Sequence, residues 1–318
     1  MNPELWAPDK LVGLSGFTSN STSYSEFRRS LSKNYLRTKA SVITAFASIW
    51  MIILVENFIL EKSIFLIRVL TVLISITLLS ISAHRILLLI HEGAHWQFSS
   101  NKKINDFLTN FFLSYFVGTE VSTYRKIHNL HHQNLGTNND PENSYVEEFD
   151  FTWLIVAISG LKTLRTFKKR EKSSTKNSQT ITMLICIGFH ICVGILLVNI
   201  SILLFLTWVI SFFAVLPLIA SARNILEHKY LSKSMHEQNK LIGAHLLPSV
   251  TTRMFNKSKL SVFYGPVGFS HHLIHHWDPS IPAYQLPKVF NFLVETELGP
   301  MLNELPTTYL TALRRLLR

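Results

Sequence analysis

Between Ile181 and Ala222 the chain runs for 42 residues without an Asp, Glu, Lys or Arg. As a helix, at about 1.5 Å per residue, that stretch is roughly twice as long as a hydrocarbon core is thick. It reads as two membrane passes, 181–199 and 201–222, with a tight turn near Asn199. A single buried helix of this length in a water-soluble protein is the weaker reading. Two more apolar runs precede it. One covers 40–60, broken only by Glu56; the other, Ile64 to Ile90, gives a pass at 64–84 and carries Arg68 early and His84-Arg85 late. Composition agrees: 16% of residues are charged, against about a quarter in an average soluble domain. The expected fold is all-α and integral to a membrane, with four transmembrane helices.

The formal charge of +11 does not point to nucleic acid, because the basic residues flank the apolar runs and suit anionic headgroups. Seven of them, Lys162, Arg165, Lys168, Lys169, Arg170, Lys172 and Lys176, lie between the second and third passes. Six more lie in residues 1–39, and the turns within each pair of passes carry little positive charge. The positive-inside rule then puts both termini, and the histidine motifs described next, in the cytosol. Residues 1–39 read as a cytosolic N-terminal segment without a cleavable signal peptide, and 288–318 as a cytosolic tail. Ile104–Val117, Phe151–Leu161 and Tyr309–Arg318 are too short to span and suit helices in the interface. Cys186 and Cys192, six apart in one apolar run, point to different sides of a helix, so they read as unpaired core filler.

Nine of the fourteen histidines fall into patterns. His91-Glu92-Gly93-Ala94-His95 follows the second pass directly, and a spacing of four puts both imidazoles on one helix face. His84, two turns lower on that face, reads as an interfacial side chain. His128-Asn129-Leu130-His131-His132 and His272-Leu273-Ile274-His275-His276 each gather three imidazoles on one side of a helix. Asn224 and His228, four apart, leave the fourth pass as the first motif leaves the second. One ion takes about three to six ligands, so nine imidazoles argue for two ions. The donors suit iron, copper or zinc alike, and no cysteine is placed to make a structural zinc or iron–sulfur site. Chance alignment of lone histidines is a poor alternative, since clustered polar groups beside lipid are costly.

These motifs resemble those of the integral-membrane fatty acid desaturase and hydroxylase superfamily, from about residue 40 to Pro287, the domain boundary expected for the membrane enzyme. HEGAH at 91–95, HNLHH at 128–132 with Leu135-Gly136-Thr137 and Asp140-Pro141-Glu142 after it, Glu227-His228, and HLIHH at 272–276 with 279–287 (PSIPAYQLP) carry the likeness. The resemblance implies two iron ions held by His91, His95, His128, His131, His132, His228, His272, His275 and His276. It places Asn224 where some members reach iron through water. It also makes Asp140, Glu92, Glu227 and Asp278 candidates to orient ligating imidazoles, with a helix cap or a solvated charge as the plain alternative for each. The chain departs from the commonest pattern at Ser270 and Ile274, where Asn and Glu are frequent, and at the extra His271.

By that resemblance the activity expected is oxygen-dependent desaturation of a fatty acyl chain or related lipid. An alternative within the superfamily is a hydroxylase or ketolase of a carotenoid, sterol, alkane or small amphiphile. A metal-binding membrane transporter is the non-enzyme alternative, disfavoured because only His190 falls well within an apolar core. No electron-carrier domain is legible in the chain. A separate donor, a ferredoxin or a cytochrome b5, is therefore expected.

Overall fold

A computed structural model describes residues 14–135, 139–142, 150–159, 161, 176–228, 252–256 and 269–316. The basic stretch 162–175, and Gly136 and Thr137 after the second histidine motif, lie outside the described residues. The chain divides into two compact units. Tyr35–Ile127 and Glu148–Ala222 form one, the membrane unit; Met1–Asn34, His128–Glu147 and Arg223–Arg318 form the other, the histidine unit.

In chain order the helices are α1 (Tyr24–Ser30), α2 (Tyr35–Lys62), α3 (Phe65–Ala94), α4 (Lys102–Thr109), α5 (Val121–Asn134), α6 (Phe151–Ile158), α7 (Lys176–Ile200), α8 (Ile202–Ile210), α9 (Leu216–His228), α10 (His272–Trp277), α11 (Leu286–Val294), α12 (Gly299–Glu304) and α13 (Tyr309–Leu316). The only sheet among the described residues is a hairpin of two-residue strands, β1 (Thr18–Ser19) and β2 (Thr22–Ser23). Four helices are long and apolar enough to cross a membrane: Tyr35–Lys62, Phe65–Ala94, Ser178–Ile200 and Ile202–His228. All four expected passes are present as helices, and the all-α membrane fold holds.

The membrane unit is apolar on its surface as well as in its core. Only 17–39% of each spanning window is buried, and Phe65, Leu66, Leu73 and Ile195 stand exposed, as lipid-facing side chains must. The inside is apolar as well, with a few small and polar residues among large ones. Ala45, Leu79, Ala83, Leu204 and Trp208 pack in the core, where alanines let helices approach closely. Glu56, the one interruption of the first pass, is buried on α2 and accepts a hydrogen bond from Thr207 Oγ1 of α8 at 2.6 Å. His190 accepts from Trp208 Nε1 at its Nδ1 (3.1 Å), so its Nε2 carries the proton and donates to the Phe116 carbonyl (3.0 Å). That carbonyl lies in the last turn before Gly118, where helix acceptors need outside partners.

The turn between the last two passes falls at Ser201, whose Oγ accepts from Leu203 N and caps α8. Five residues of π-helix, Ser211–Val215, join α8 to α9. Pro217 has no N–H to give the carbonyl four residues earlier, which opens the helix at that point. Ser80 Oγ of α3 donates to Ile76 O of its own helix (2.7 Å) and across to Ser211 O at the start of the π segment (3.1 Å). A second π segment, Asn110–Ser114, follows α4; Leu113 and Phe116 there enter the core while Phe107, Phe111 and Phe112 stay exposed. The expected interfacial stretch 104–117 is thus amphipathic, with one face in the core. Cys192 is exposed rather than core filler, and His84 is buried, at 2% exposure.

In the histidine unit the N-terminal segment is tied to the chain that follows the third motif. Asn20 and Ser21 both have positive φ, the condition for a tight two-residue hairpin turn. Ser23 and Glu26 form a reciprocal cap on α1. Phe27 stacks on Phe292 of α11, and Ser19 Oγ donates to Glu295 (2.7 Å). The carboxyl-terminal helix α13 docks through Tyr309, stacked on Phe255, and through buried Ala312.

Candidate metal centre

In the membrane unit the first motif ends α3. His91 and His95 are buried, with ring centroids 4.9 Å apart. Gly93 is required between them: a Cβ there would lie 2.4 Å from the Thr109 side chain of α4. The helix stops at Trp96, whose φ of 56° turns the chain out. Arg125 of α5 holds this end. Its Nε donates to Ala94 O (2.7 Å), its Nη2 to Gly93 O (3.1 Å), and both Nη atoms reach Asp106. Asn105 Nδ2 adds a bond to Gly93 O (2.8 Å). The last carbonyls of a helix lack internal partners and carry partial negative charge, so a guanidinium there fixes the end that bears the imidazoles. Its Cζ also lies 4.4 Å from the centroid of the Trp96 ring. The nearest approach of Glu92 to His91 Nδ1 is 3.9 Å, too long for a hydrogen bond.

In the histidine unit α5 brings in His128, His131 and His132, α9 brings His228, and α10 brings His272, His275 and His276. Their Nε2 atoms face one another. His132 Nε2 lies 3.0 Å from that of His128 and 3.2 Å from that of His275. His272 Nε2 lies 3.1 Å from that of His228 and 3.2 Å from that of His276. His131 lies with His228 and His276, its ring 5.1 and 5.3 Å from theirs.

The outward nitrogens of the second motif are taken by carboxylates. Asp140 holds His131 Nδ1 with both oxygens (3.0 and 2.9 Å), and Glu142 holds His128 Nδ1 (3.2 Å). Glu142 N in turn donates to Asp140 Oδ1 (2.8 Å), so the turn that follows the motif is set by its own side chain. With Nδ1–H donated to a carboxylate, as at His128 and His131, Nε2 keeps a lone pair that a cation could take. Two donors at right angles and about 2.1 Å from one ion lie about 3.0 Å apart, the spacing seen. The residues fit metal ions.

Burial holds the His128, His272 and His276 imidazoles below the usual histidine range; the Glu142 carboxylate partly offsets this at His128, and neighbouring imidazoles add to it at His272 and His276. At His131 burial acts the same way, but the Asp140 bond and the charges of Glu142, Asp140 and Glu227 outweigh it, and the group is raised. Neutral imidazole is the ligating form, and at His131 an ion would take the place of the proton.

The other expected residues fall as follows. Asn224 Nδ2 donates to Glu142 O at 3.2 Å. Glu227 Oε1 accepts from Arg223 Nε (2.6 Å), while Oε2 lies 3.6 Å from His272 Nε2. Asp278 accepts from Tyr24 Oη (3.0 Å), Arg28 Nε (2.6 Å) and Ser280, none of them an imidazole. It ties α1 to the end of the third motif. His271 lies against Ser270 (3.1 Å) and the edge of the Phe290 ring. Sequence reasoning missed Glu142 and Arg125. The first was visible as the acid closing Asp140-Pro141-Glu142; nothing local marks the second.

The family model for fatty acid desaturases matches residues 65–301, well over half of the chain. The chain belongs to the fatty acid desaturase family. No curated protein and no solved structure matches it. As a member of this family it is a membrane oxidoreductase of the desaturase and hydroxylase type, and the converging imidazoles lie within the matched residues.

Proposed function

We propose that this desaturase-family protein uses dioxygen and external electrons to introduce a double bond into a fatty acyl chain or a related lipid. The observation that carries the reading is the convergence of imidazole nitrogens at 3.0–3.2 Å in the histidine unit. His128, His131, His132, His228, His272, His275 and His276 supply seven imidazoles, and His91 and His95, fixed at the end of α3, supply the remaining two. Together they would hold two iron ions, whose chemistry when bound is the reductive activation of oxygen.

The balance of the reaction is one CH2–CH2 unit, O2, two electrons and two protons giving CH=CH and two waters. The chain's own share lies in three acts. Asp140 and Glu142 accept the Nδ1 protons of His131 and His128 and keep their Nε2 lone pairs turned inward. Burial of the imidazoles keeps water away from the centre. Arg125, Asn105 and Asp106 hold the helix end that carries His91 and His95. The lipid-facing membrane unit supports an apolar substrate arriving from the bilayer.

The charge pattern supports a cytosolic placement of both termini and of the histidine motifs. A ferredoxin or a cytochrome b5 would then bring electrons, with the basic surface suiting an acidic carrier. Transport is disfavoured, since His190 has both nitrogens committed to Trp208 and Phe116. Iron analysis of the purified protein, with lipid product analysis by mass spectrometry, tests the proposal. Loss of product in His131→Ala and His275→Ala is expected. Full turnover by iron-free protein would sink it, and an alcohol as sole product would move the assignment to a hydroxylase.

A further inference from the structure

Three carboxylates stand beside imidazoles of the histidine unit, and they do not stand on the same side. Asp140 and Glu142 lie on the Nδ1 atoms of His131 and His128, the nitrogens turned away from the cluster. Glu227 Oε2 instead lies 3.6 Å from His272 Nε2, the nitrogen that faces His228 and His276. A carboxylate that only orients a ligating imidazole belongs on the outward nitrogen. Glu227 is on the inward one.

We propose that Glu227 is itself a metal ligand, giving Oε2 to the ion held by His228 and His272. The inference rests on the metal-centre reading above and adds an oxygen donor to a set composed of imidazoles alone. The distances fit. A separation of 3.6 Å is too long for a hydrogen bond. It is the span of two donors about 2.1 Å from one ion at roughly 120°. Glu227, His228 and His272 place one donor atom each within 4.8 Å of the others.

The neighbouring chain prepares the carboxylate for this role. Its side chain is only 5% exposed, and a charge so far from water needs partners. Arg223, one turn earlier on α9, occupies Oε1 and leaves Oε2 for the ion. Arg253 then fastens the end of the helix, donating through Nη1 to Leu226 O (2.5 Å) and through its backbone N to Glu227 O (3.0 Å). At the other imidazole group, His128, His132 and His275, the carboxylate present is Glu142, and it lies on the outward side. The two ions are therefore unlike: one has imidazoles with a carboxylate held behind them, the other has a carboxylate among its donors. An anionic oxygen donor lowers the net charge of that site by one and favours its oxidised state.

The test compares full-length wild type, Glu227→Ala, Glu227→Gln and Asp140→Asn, purified in detergent and loaded anaerobically with 57Fe(II). Iron per chain, Mössbauer spectra and iron-edge X-ray absorption are the readouts. Wild type should hold two irons in two distinguishable doublets. Glu227→Ala should keep one iron and bind the second about tenfold or more weakly, an effect at least as large as loss of an orienting partner. Glu227→Gln, close in shape and checked for folding by its elution profile, should shift one doublet and leave the other. Asp140→Asn should weaken iron binding without changing the donor set. Two irons with wild-type spectra in both Glu227 variants would overturn the inference and leave the di-iron reading intact. Wild-type protein that takes up no iron would overturn both.

Discussion

The two units of the molecule bury polar groups in opposite ways. Away from His91 and His95, the buried polar groups described in the membrane unit meet complementary ones: Glu56 meets Thr207, His190 meets Trp208 and a carbonyl, and Ser80 meets the Ser211 carbonyl. In the histidine unit imidazole nitrogens meet other imidazole nitrogens, and carboxylates hold the outward sides of His128 and His131. A hydrogen-bonded pair is complete in itself and stabilises a fold. A group of facing imidazoles with lone pairs turned inward is a set of donors for a cation. The first arrangement marks a scaffold, the second a centre, although both are built from buried polar side chains.

That contrast is open to attack by mutation, and the largest effects belong to the centre. His275→Ala removes a ligand outright; product formation should fall to background with iron content reduced, as read by mass spectrometry of lipids and by metal analysis. Asp140→Asn leaves the ligands in place but loosens His131, and iron affinity should fall about 10- to 100-fold. Arg125→Gln strips the charged donor from the Gly93 and Ala94 carbonyls. It should cost about 1.5–3 kcal/mol in thermal unfolding of the purified protein, with activity lowered because His91 and His95 lose their anchor. Trp208→Phe leaves His190 Nδ1 without its donor inside the scaffold. Its cost should be only about 1 kcal/mol, since partners are readily found within a membrane bundle, and iron content should not change. Iron loss in Trp208→Phe, or unchanged iron in Asp140→Asn, would erase the distinction between the two units.

What was legible in the sequence was local. The passes at 40–60, 64–84, 181–199 and 201–222 each lie within one observed helix or within the α8–π–α9 run, because apolar length is a property of contiguous residues. The histidine spacings of three and four could be placed on helix faces for the same reason. Asp140 as the partner of His131 was near enough in sequence to expect. The rest needed distance in the chain to be resolved. Asp278 was a candidate for an imidazole, yet its partners Tyr24 and Arg28 come from the other end of the chain. Arg125 looks like any basic residue until α3 and α4 are brought beside it. Glu227 was read as one acid among four. Only the side of His272 on which it stands, the inward nitrogen, sets it apart.

We propose that the seven facing imidazoles, with His91 and His95, hold two iron ions. The most direct test is the iron content of full-length protein purified anaerobically in detergent, read by elemental analysis beside the same measurement on His228→Ala/His272→Ala. The account expects two irons per chain in the wild type and about one in the double variant. Wild-type protein that converts lipid while holding no iron, or a double variant that keeps both ions, would contradict it.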